Sequence, residues 1–275
     1  ARMALAVTGG GGLTLLAGFV VLGQIAGTYE LSQMLGRGAE IQAHPMFPVA
    51  LILILLGCFT KSAQFPFHFW LPEAMAAPTP VSAYLHSATM VKAGLFLLAR
   101  LYPVIGGNVL FESIVATVGL VTMVFAAFVA LFKHDLKGLL AYSTISHLGF
   151  IAFLIGLSSP MSAVVAIFHI LNHASFKAAL FMTAGIVDHE TGTRDMRRLG
   201  GLMKAMPWMG SFALLASASM AGLPPFNGFL SKEMMLEQAV HAQFWGSLSW
   251  LVPVLATLGG LFSMAYSLRL VHDVF

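Results

Sequence analysis

An all-α, polytopic membrane helix bundle, with two of its helices broken inside the bilayer, is the fold class that this 275-residue sequence predicts. Three observations predict it. Hydrophobic residues make up 58% of the chain and charged residues only 9%, with a mean hydropathy of +0.86. A soluble domain carries about 25% charged residues, and so little polar material cannot cover a surface facing water. Apolar stretches of about 20 residues, the length that crosses the hydrocarbon layer as a helix, recur along the whole chain. Prolines interrupt that pattern at two places, directly after apolar runs.

Eight stretches qualify as spans: 3–26, 47–64, 81–102, 111–132, 138–157, 161–187, 207–223 and 247–271. The first is too long for the apolar region of a signal peptide and has no cleavage-site flank, so it counts as a span. The sequence starts without an initiator methionine and stops in mid-pattern at Phe275, so both ends are expected to be cut. The 27 glycines and 16 methionines suit lipid-embedded packing, because small residues let helices approach and Met fills irregular gaps. Gly9 to Gly12 have no strand before them and no Lys-Ser/Thr after them, which excludes a phosphate loop. Close helix packing is the expected use of that run.

The two breaks follow Gln64 and Leu223. After Gln64 comes Phe-Pro-Phe-His-Phe-Trp-Leu-Pro, ending at Pro72, and after Leu223 comes Pro-Pro-Phe-Asn-Gly. Proline removes a backbone donor and clashes with the preceding turn. Residues 65–72 and 224–228 are therefore expected to be non-helical and buried against protein, as in transporters whose loose backbone faces a cavity. PFHFWLPEAM (66–75) aligns without a gap on PFNGFLSKEM (225–234), which suggests an internal repeat.

A formal charge of +3, spread in ones and twos, offers no patch for nucleic acid. Arg2, Lys133, Lys137, Arg194, Arg197, Arg198 and Lys204 collect on the side that holds the N-terminus. The positive-inside rule puts that side in the cytoplasm. The short polar connection around Asp135 is a solvated turn on this reading. The single cysteine, Cys58, cannot form an intramolecular disulfide.

Ionisable residues at membrane depth are the candidates for function. A charge at the centre of a span costs roughly 2.5–3.5 kcal/mol on insertion scales, and this chain places several there. Lys61 lies one turn before the first break, and Lys92 sits near the middle of span 81–102. Lys177 is well inside span 161–187, while Lys232 and Glu233 follow the second break as adjacent opposite charges. Snorkelling to the headgroups explains Arg100 and Arg269 near span ends, and fits Lys92 and Lys177 poorly. Lysine suits proton work, because desolvation and a nearby carboxylate push its proton affinity in opposite directions.

His169, His173 and Lys177 follow at intervals of four and share one helix face. Side chains so spaced can exchange protons directly or through one water. Two histidines one turn apart can also ligate zinc, but no third ligand is near in sequence and the lysine would repel the ion. Structural histidines, hydrogen-bonded in place, are the remaining reading. His86 and His147 also fall within spans, as relay members or as packing residues.

These residues stand in longer matches to a known family. KSAQFPFHFWLPEAMAAPTPVSAYLHSATMVKAG (61–94), HDLKGLLAYSTISHLGF (134–150), FHILNHASFKAALF (168–181) and AGLPPFNGFLSKEM (221–234) resemble the antiporter-like membrane subunits of respiratory complex I and of Mrp antiporters. The segment GIVDHETGTRDMRRLGGL (185–202) is more similar to the large, A-type subunits of Mrp-type Na+/H+ antiporters than to the complex I subunits. The resemblance implies two inverted five-helix repeats with one broken helix in each. Residues 1–102 would be the end of the first repeat, with three spans, and 103–275 the second, with five.

The resemblance further implies that Lys61 is the lysine of the first broken helix, Lys177 the central lysine with His173 beside it, and Lys232 the lysine of the second broken helix. His86 would bridge two half-channels. The family pairs the first lysine with a glutamate on an earlier helix, which this sequence does not contain, and His147 departs from a glutamine of the relatives. The implied activity is proton translocation in a complex of several subunits that exchanges a monovalent cation, sodium foremost, for protons, with no cofactor and no metal. Its partners are the other subunits, and its place is the bacterial cell membrane. A proton-pumping subunit of complex I or of a membrane-bound hydrogenase is the alternative. A membrane scaffold whose charges only bind other subunits is a third reading.

Overall fold

The computed structural model describes residues 2–87 and 89–275, and among them every regular element is a helix. The chain enters as α1 (Arg2–Ala26) and turns through the short helices α2 (Leu31–Met34) and α3 (Gly38–Gln42). It then forms α4 (Phe47–Lys61), which stops at the first break, and continues as α5 (Trp70–Glu73) between two 3-10 turns, Phe67–Phe69 and Ala74–Ala76. Next come α6 (Thr79–Ser87), a 3-10 turn at Met90–Lys92 and α7 (Ala93–Ile105). α8 (Val109–Leu131), α9 (Leu136–Gly156) and α10 (Pro160–Thr191) are long and continuous. A connection holding α11 (Leu202–Ala205) leads to α12 (Pro207–Ala221), the second break, α13 (Asn227–Val240) and α14 (Leu251–Val274).

Six of the eight expected spans are helices, or helix pairs, long and apolar enough to cross a membrane. The stretches 47–64 and 207–223 are not. α4 and α12 have 15 residues each, or about 22 Å of helix at 1.5 Å per residue, short of a hydrocarbon core about 30 Å thick. Each completes its crossing only after its break. α12 begins where the Met203 amide meets the Phe275 carbonyl, whereas α13 ends beside Ser159, whose hydroxyl donates to Gln238 at 2.7 Å. Those contacts lie at opposite ends of the bundle, and the second break falls between them.

The first break is also shorter than expected, and both begin two or three residues earlier. Residues 62–66 and 222–226 are non-helical, but 67–76 already turns helically and Asn227 starts α13. Nor are they wholly buried: Phe65 is 39% exposed, and Pro224 and Pro225 are not buried either. Span 81–102 differs as well. It is interrupted by the 3-10 turn at Met90–Lys92, with no proline to announce it.

α9 is the axis of the bundle. It is buried on all sides, as a helix apolar all round should be, and packs on α8, α10 and α14. Glycines bring α8 and α9 together: a Cβ at Gly119 would lie 2.3 Å from the Phe153 nitrogen, and one at Gly149 would lie 2.5 Å from that of Met123. The Gly9 to Gly12 run fulfils its expectation at one residue only. Gly11 packs on Thr60 of α4, while Gly9, Gly10 and Gly12 have open space around them.

At one end of the bundle a clasp joins two connections. The Leu136 amide donates to the Arg194 carbonyl and the Met196 amide to the His134 carbonyl, at 2.9 and 2.8 Å. Arg194 pairs with Asp135 at 2.8 Å, so the turn at Asp135 is a docking point as well as a polar connection. Arg197 holds the Asp195 carboxyl down to about 2 through its guanidinium and its backbone amide. The connections 132–135 and 192–206, which hold Lys133, Arg194, Arg197, Arg198 and Lys204, therefore share one end.

Candidate functional site

The site grows from the interruptions. The last carbonyls of a helix have no partner within it and carry the negative end of its dipole. At the end of α12, Gly222 adopts φ +80, and the Gly222 and Leu223 amides both return to the Ala218 carbonyl. The Ala221 carbonyl is left over. Lys232, one turn into α13, takes it at 2.9 Å and also donates to Ser263 of α14 at 2.8 Å. Glycine is needed at 222 for space too, because a Cβ there would come within 2.7 Å of the Lys232 Cδ.

Lys92 repeats the arrangement. Its amine donates to the Ser87 carbonyl at the end of α6 and to the Ile170 carbonyl of α10, the latter at 3.2 Å. Lys177, fully buried on α10, donates to Ser143 and to the Leu140 carbonyl of α9. Lys61, half-buried in the last turn of α4, has no hydrogen-bond or ion-pair partner among the described residues. None of these four amines has a carboxylate within 4.0 Å among those residues. Three of them are held by carbonyl and hydroxyl oxygens alone.

The histidines gather between them. His147, His169 and His173 are all buried, and the intervals of four do put His169, His173 and Lys177 on one buried face of α10. The direct hydrogen bond crosses helices instead of following α10: His147 Nδ1 lies 2.9 Å from His169 Nε2. His169 Nδ1 meets Ser231 of α13 at 2.9 Å, and His147 Nε2 meets the Tyr266 hydroxyl of α14 at 3.3 Å. His173 sits beside this pair, its ring centroid 5.3 Å from that of His147, with neither nitrogen bonded. His86 is equally buried and, among the described residues, unbonded, stacked on Phe181 of α10 at 5.1 Å. Buried polar nitrogens without protein partners are uncommon, and these two imidazoles offer donors and acceptors that suit water.

Glu233 stands apart. It is not among the buried residues of α13 and makes no ion pair among the described residues, while its neighbour Lys232 turns inward, so the structure does not bring this carboxylate to the amines. Sequence reasoning missed Ser143, Ser231, Ser263 and Tyr266, and also the Asn172–Asn227 pair that pins α13 to α10 at 2.9 Å. Hydroxyls are common in membrane helices, where they bond back to their own backbone, and no spacing singles these out.

Comparison with known proteins places the whole chain. The family described as NADH:quinone oxidoreductase/Mrp antiporter, TM matches residues 1–259. A probable K+/H+ antiporter subunit (the A/B type) of Rhizobium meliloti (strain 1021) is 58% identical over all of this chain and 28% of its own length. The A-type Na+/H+ antiporter subunit of Bacillus subtilis (strain 168) is 48% identical, again over the whole chain and 36% of its own length. The chain thus spans about a third of the length of these relatives. Among solved structures, the Mrp complex from Dietzia sp. DQ12-45-1b matches with a TM-score of 0.89 and 44% identity, over 98% of this chain and 30% of that one. Respiratory complex I from Thermus thermophilus with bound NADH matches at 0.88 with 25% identity, over 99% of this chain and 57% of that one.

Proposed function

This chain belongs to the NADH:quinone oxidoreductase/Mrp antiporter transmembrane family, and from that premise we propose that it acts in a multi-subunit monovalent cation/proton antiporter, passing protons along buried lysines and histidines. The observation that carries the reading is the set of amines Lys92, Lys177 and Lys232, set on the helices that carry or pack on the histidine cluster and held without carboxylates; Lys61, at the first break, joins them by the resemblance. An amine held only by neutral oxygens has no fixed countercharge at membrane depth. Binding or releasing a proton there responds strongly to any charge that approaches. His86, His147, His169 and His173 fill the intervals between the amines. Glu233 takes no part, because its carboxylate lies away from them.

The Mrp branch is favoured over complex I by the segment 185–202 and by the identities of 44% against 25% in the two structural matches. The relatives' names divide between K+ and Na+, so the exchanged ion is a monovalent cation, with sodium the first to test. The connections 132–135 and 192–206 face the cytoplasm of a bacterial cell membrane on this reading, since they hold the excess of Lys and Arg. Residues 1–102 and 103–275 form the end of one repeat and the whole of a second, a reading supported by breaks that fall at matched positions of the alignment.

The test uses the whole complex in everted vesicles, following the pH gradient on addition of Na+ or K+. Lys177→Ala abolishes antiport with the complex assembled. Lys177→Arg fails nearly as badly, because arginine keeps its proton at any physiological pH. A scaffold predicts the reverse order, with Arg tolerated and Ala losing the complex. Wild-type antiport by an assembled Lys177→Arg complex would overturn the relay at this residue.

A further inference from the structure

The histidine cluster and Lys232 are joined by hydroxyl groups that no proton-pathway reading of the sequence included. Ser263 and Tyr266 lie three residues apart on one face of α14, 4% and 0% exposed. The Lys232 amine donates to Ser263 at 2.8 Å, Ser263 donates to the Tyr266 oxygen at 3.0 Å, and that hydroxyl lies 3.3 Å from His147 Nε2. We propose that Ser263 and Tyr266 are the proton-conducting link between Lys232 and His147.

The directions of these bonds follow from donor and acceptor counts. An ammonium only donates, so Ser263 accepts on its lysine side and must give its single hydrogen onward. Its other acceptor, the Met220 carbonyl, is farther away at 3.5 Å. Tyr266 then accepts from Ser263 and gives its own hydrogen to His147 Nε2. The opposite end of the cluster agrees. Ser231 gives its hydrogen to the Gly228 carbonyl at 3.1 Å, so it accepts from His169 Nδ1. His169 Nε2 is thereby an acceptor, and His147 must donate to it from Nδ1. His147 Nε2 is left bare, facing the phenol. Both ends of the network require the same tautomer.

A proton can pass along such a line without net chemistry at either hydroxyl. One Lys232 N–H bond breaks as its proton joins Ser263. The Ser263 proton moves to Tyr266, and the Tyr266 proton to His147 Nε2. The result is a neutral amine, an imidazolium and two hydroxyls turned the other way, which must turn back before the next transfer. Ser231, the other contact with α13, cannot serve, because its hydrogen points into the backbone. Water is a poor substitute at this place. The cavity lined by Ser146, His147, Lys232 and Ser263 holds about 10 Å³, at the lower limit for a single molecule.

The link rests on the relay reading above, and the test separates the two. Antiport by the whole complex is compared for Lys232→Ala, Tyr266→Phe, Ser263→Ala and Ser263→Thr, with assembly followed on native gels. Tyr266→Phe keeps the ring and removes the hydroxyl, and it lowers the antiport rate at least tenfold in an assembled complex. Ser263→Ala does the same, while Ser263→Thr, which restores a hydroxyl at the same carbon, retains at least half of the wild-type rate. Wild-type antiport in Tyr266→Phe, with Lys232→Ala inactive, overturns the link and leaves the relay standing. Wild-type antiport in Lys232→Ala overturns the relay at this lysine, and the link with it. Should the Phe variant not assemble, the two Ser263 variants decide: equal rates for Ala and Thr overturn the link.

Discussion

The two broken helices face one problem and solve it differently. α4 and α12 each end in mid-bundle with carbonyls to satisfy. At the first break the Trp70 indole donates to the Thr60 carbonyl at 2.9 Å, and Thr122 of α8 accepts from the Phe65 amide at 2.9 Å. Lys61 is left without a partner among the described residues. At the second break the position aligned with Trp70 is Phe229, which has no side-chain N–H to give. There Lys232 caps the helix through the Ala221 carbonyl and is drawn into the hydroxyl and histidine network. The comparison teaches that a lysine beside a break is free or bound according to whether another donor has already taken the helix end. The bound lysine caps a helix end, and in the proposed relay it carries a proton as well. In the proposed antiporter, the free one is the lysine open to a charge brought by another subunit.

The comparison can be broken by substitution, and the largest effects are on transport. Lys232→Ala should abolish antiport and lower thermal stability as well, since it strips the donor from a buried helix end, at about 1–3 kcal/mol for an unsatisfied carbonyl. Lys61→Ala should abolish antiport with no loss of stability, because the amine bonds to nothing described. Antiport assays with melting curves on the purified complex check both. Equal melting losses for the two variants would remove the distinction between bound and free lysines.

The Trp70→Phe change moves the first break towards the second. It removes the indole bond to the Thr60 carbonyl, worth about 0.5–1.5 kcal/mol because the Ala63 amide still reaches that carbonyl at 3.4 Å, and leaves room there for Lys61. Partial antiport with reduced stability is the expected result, and an unchanged melting temperature would show that the indole is dispensable.

A smaller effect separates the residues that turn the chain. Gly222 has φ +80 and Ala63 has φ +48, both in the left-handed region. Gly222→Ala costs about 1–2 kcal/mol from backbone strain, with crowding of Lys232 added. Ala63→Gly is close to neutral, because relief of strain is offset by lost contacts at a fully buried methyl. Denaturation of the two variants side by side tests this order.

The smallest effect lies outside the membrane. The Asp195 carboxyl is held down to about 2 by Arg197, below an ordinary aspartate at about 3.9. A depressed acid stabilises above its unfolded value and loses that contribution only as pH falls towards its folded value. The protection of amides 194–198, corrected for the intrinsic exchange rate at each pH, should therefore be the same at pH 8 and pH 5. Any change in antiport across that range then arises elsewhere than at Asp195.

Much of this was legible in the sequence. Composition made lipid the solvent, because too few polar residues exist to face water. Apolar lengths placed six crossings, and the prolines near Pro66 and Pro225 placed the breaks to within a few residues. Lys177, Lys232 and the histidines stood out because an ionisable group in an apolar run is costly and therefore rare. The interruption at Met90–Lys92 was not legible. The surrounding residues continue an apolar helical pattern, whereas among the described residues Lys92 donates to the Ser87 and Ile170 carbonyls and the Thr89 hydroxyl to the Tyr84 carbonyl, the last at 2.9 Å. The outward turn of Glu233 was hidden for a similar reason, since adjacency to Lys232 says nothing about which way a helix turns.

What the sequence by itself determined is the class of the molecule and the identity of its unusual residues, because both follow from transfer energies that each residue carries wherever it sits. What only the tertiary structure decided is which of those residues touch. A hydrogen bond needs two groups within about 3 Å with the right directions, and the decisive pairs here each join two different helices: His147 with His169, Tyr266 with His147, Lys177 with Ser143, Lys232 with Ser263. Hydroxyls that look ordinary one at a time became a line between a lysine and a histidine once α14 lay across α9 and α13.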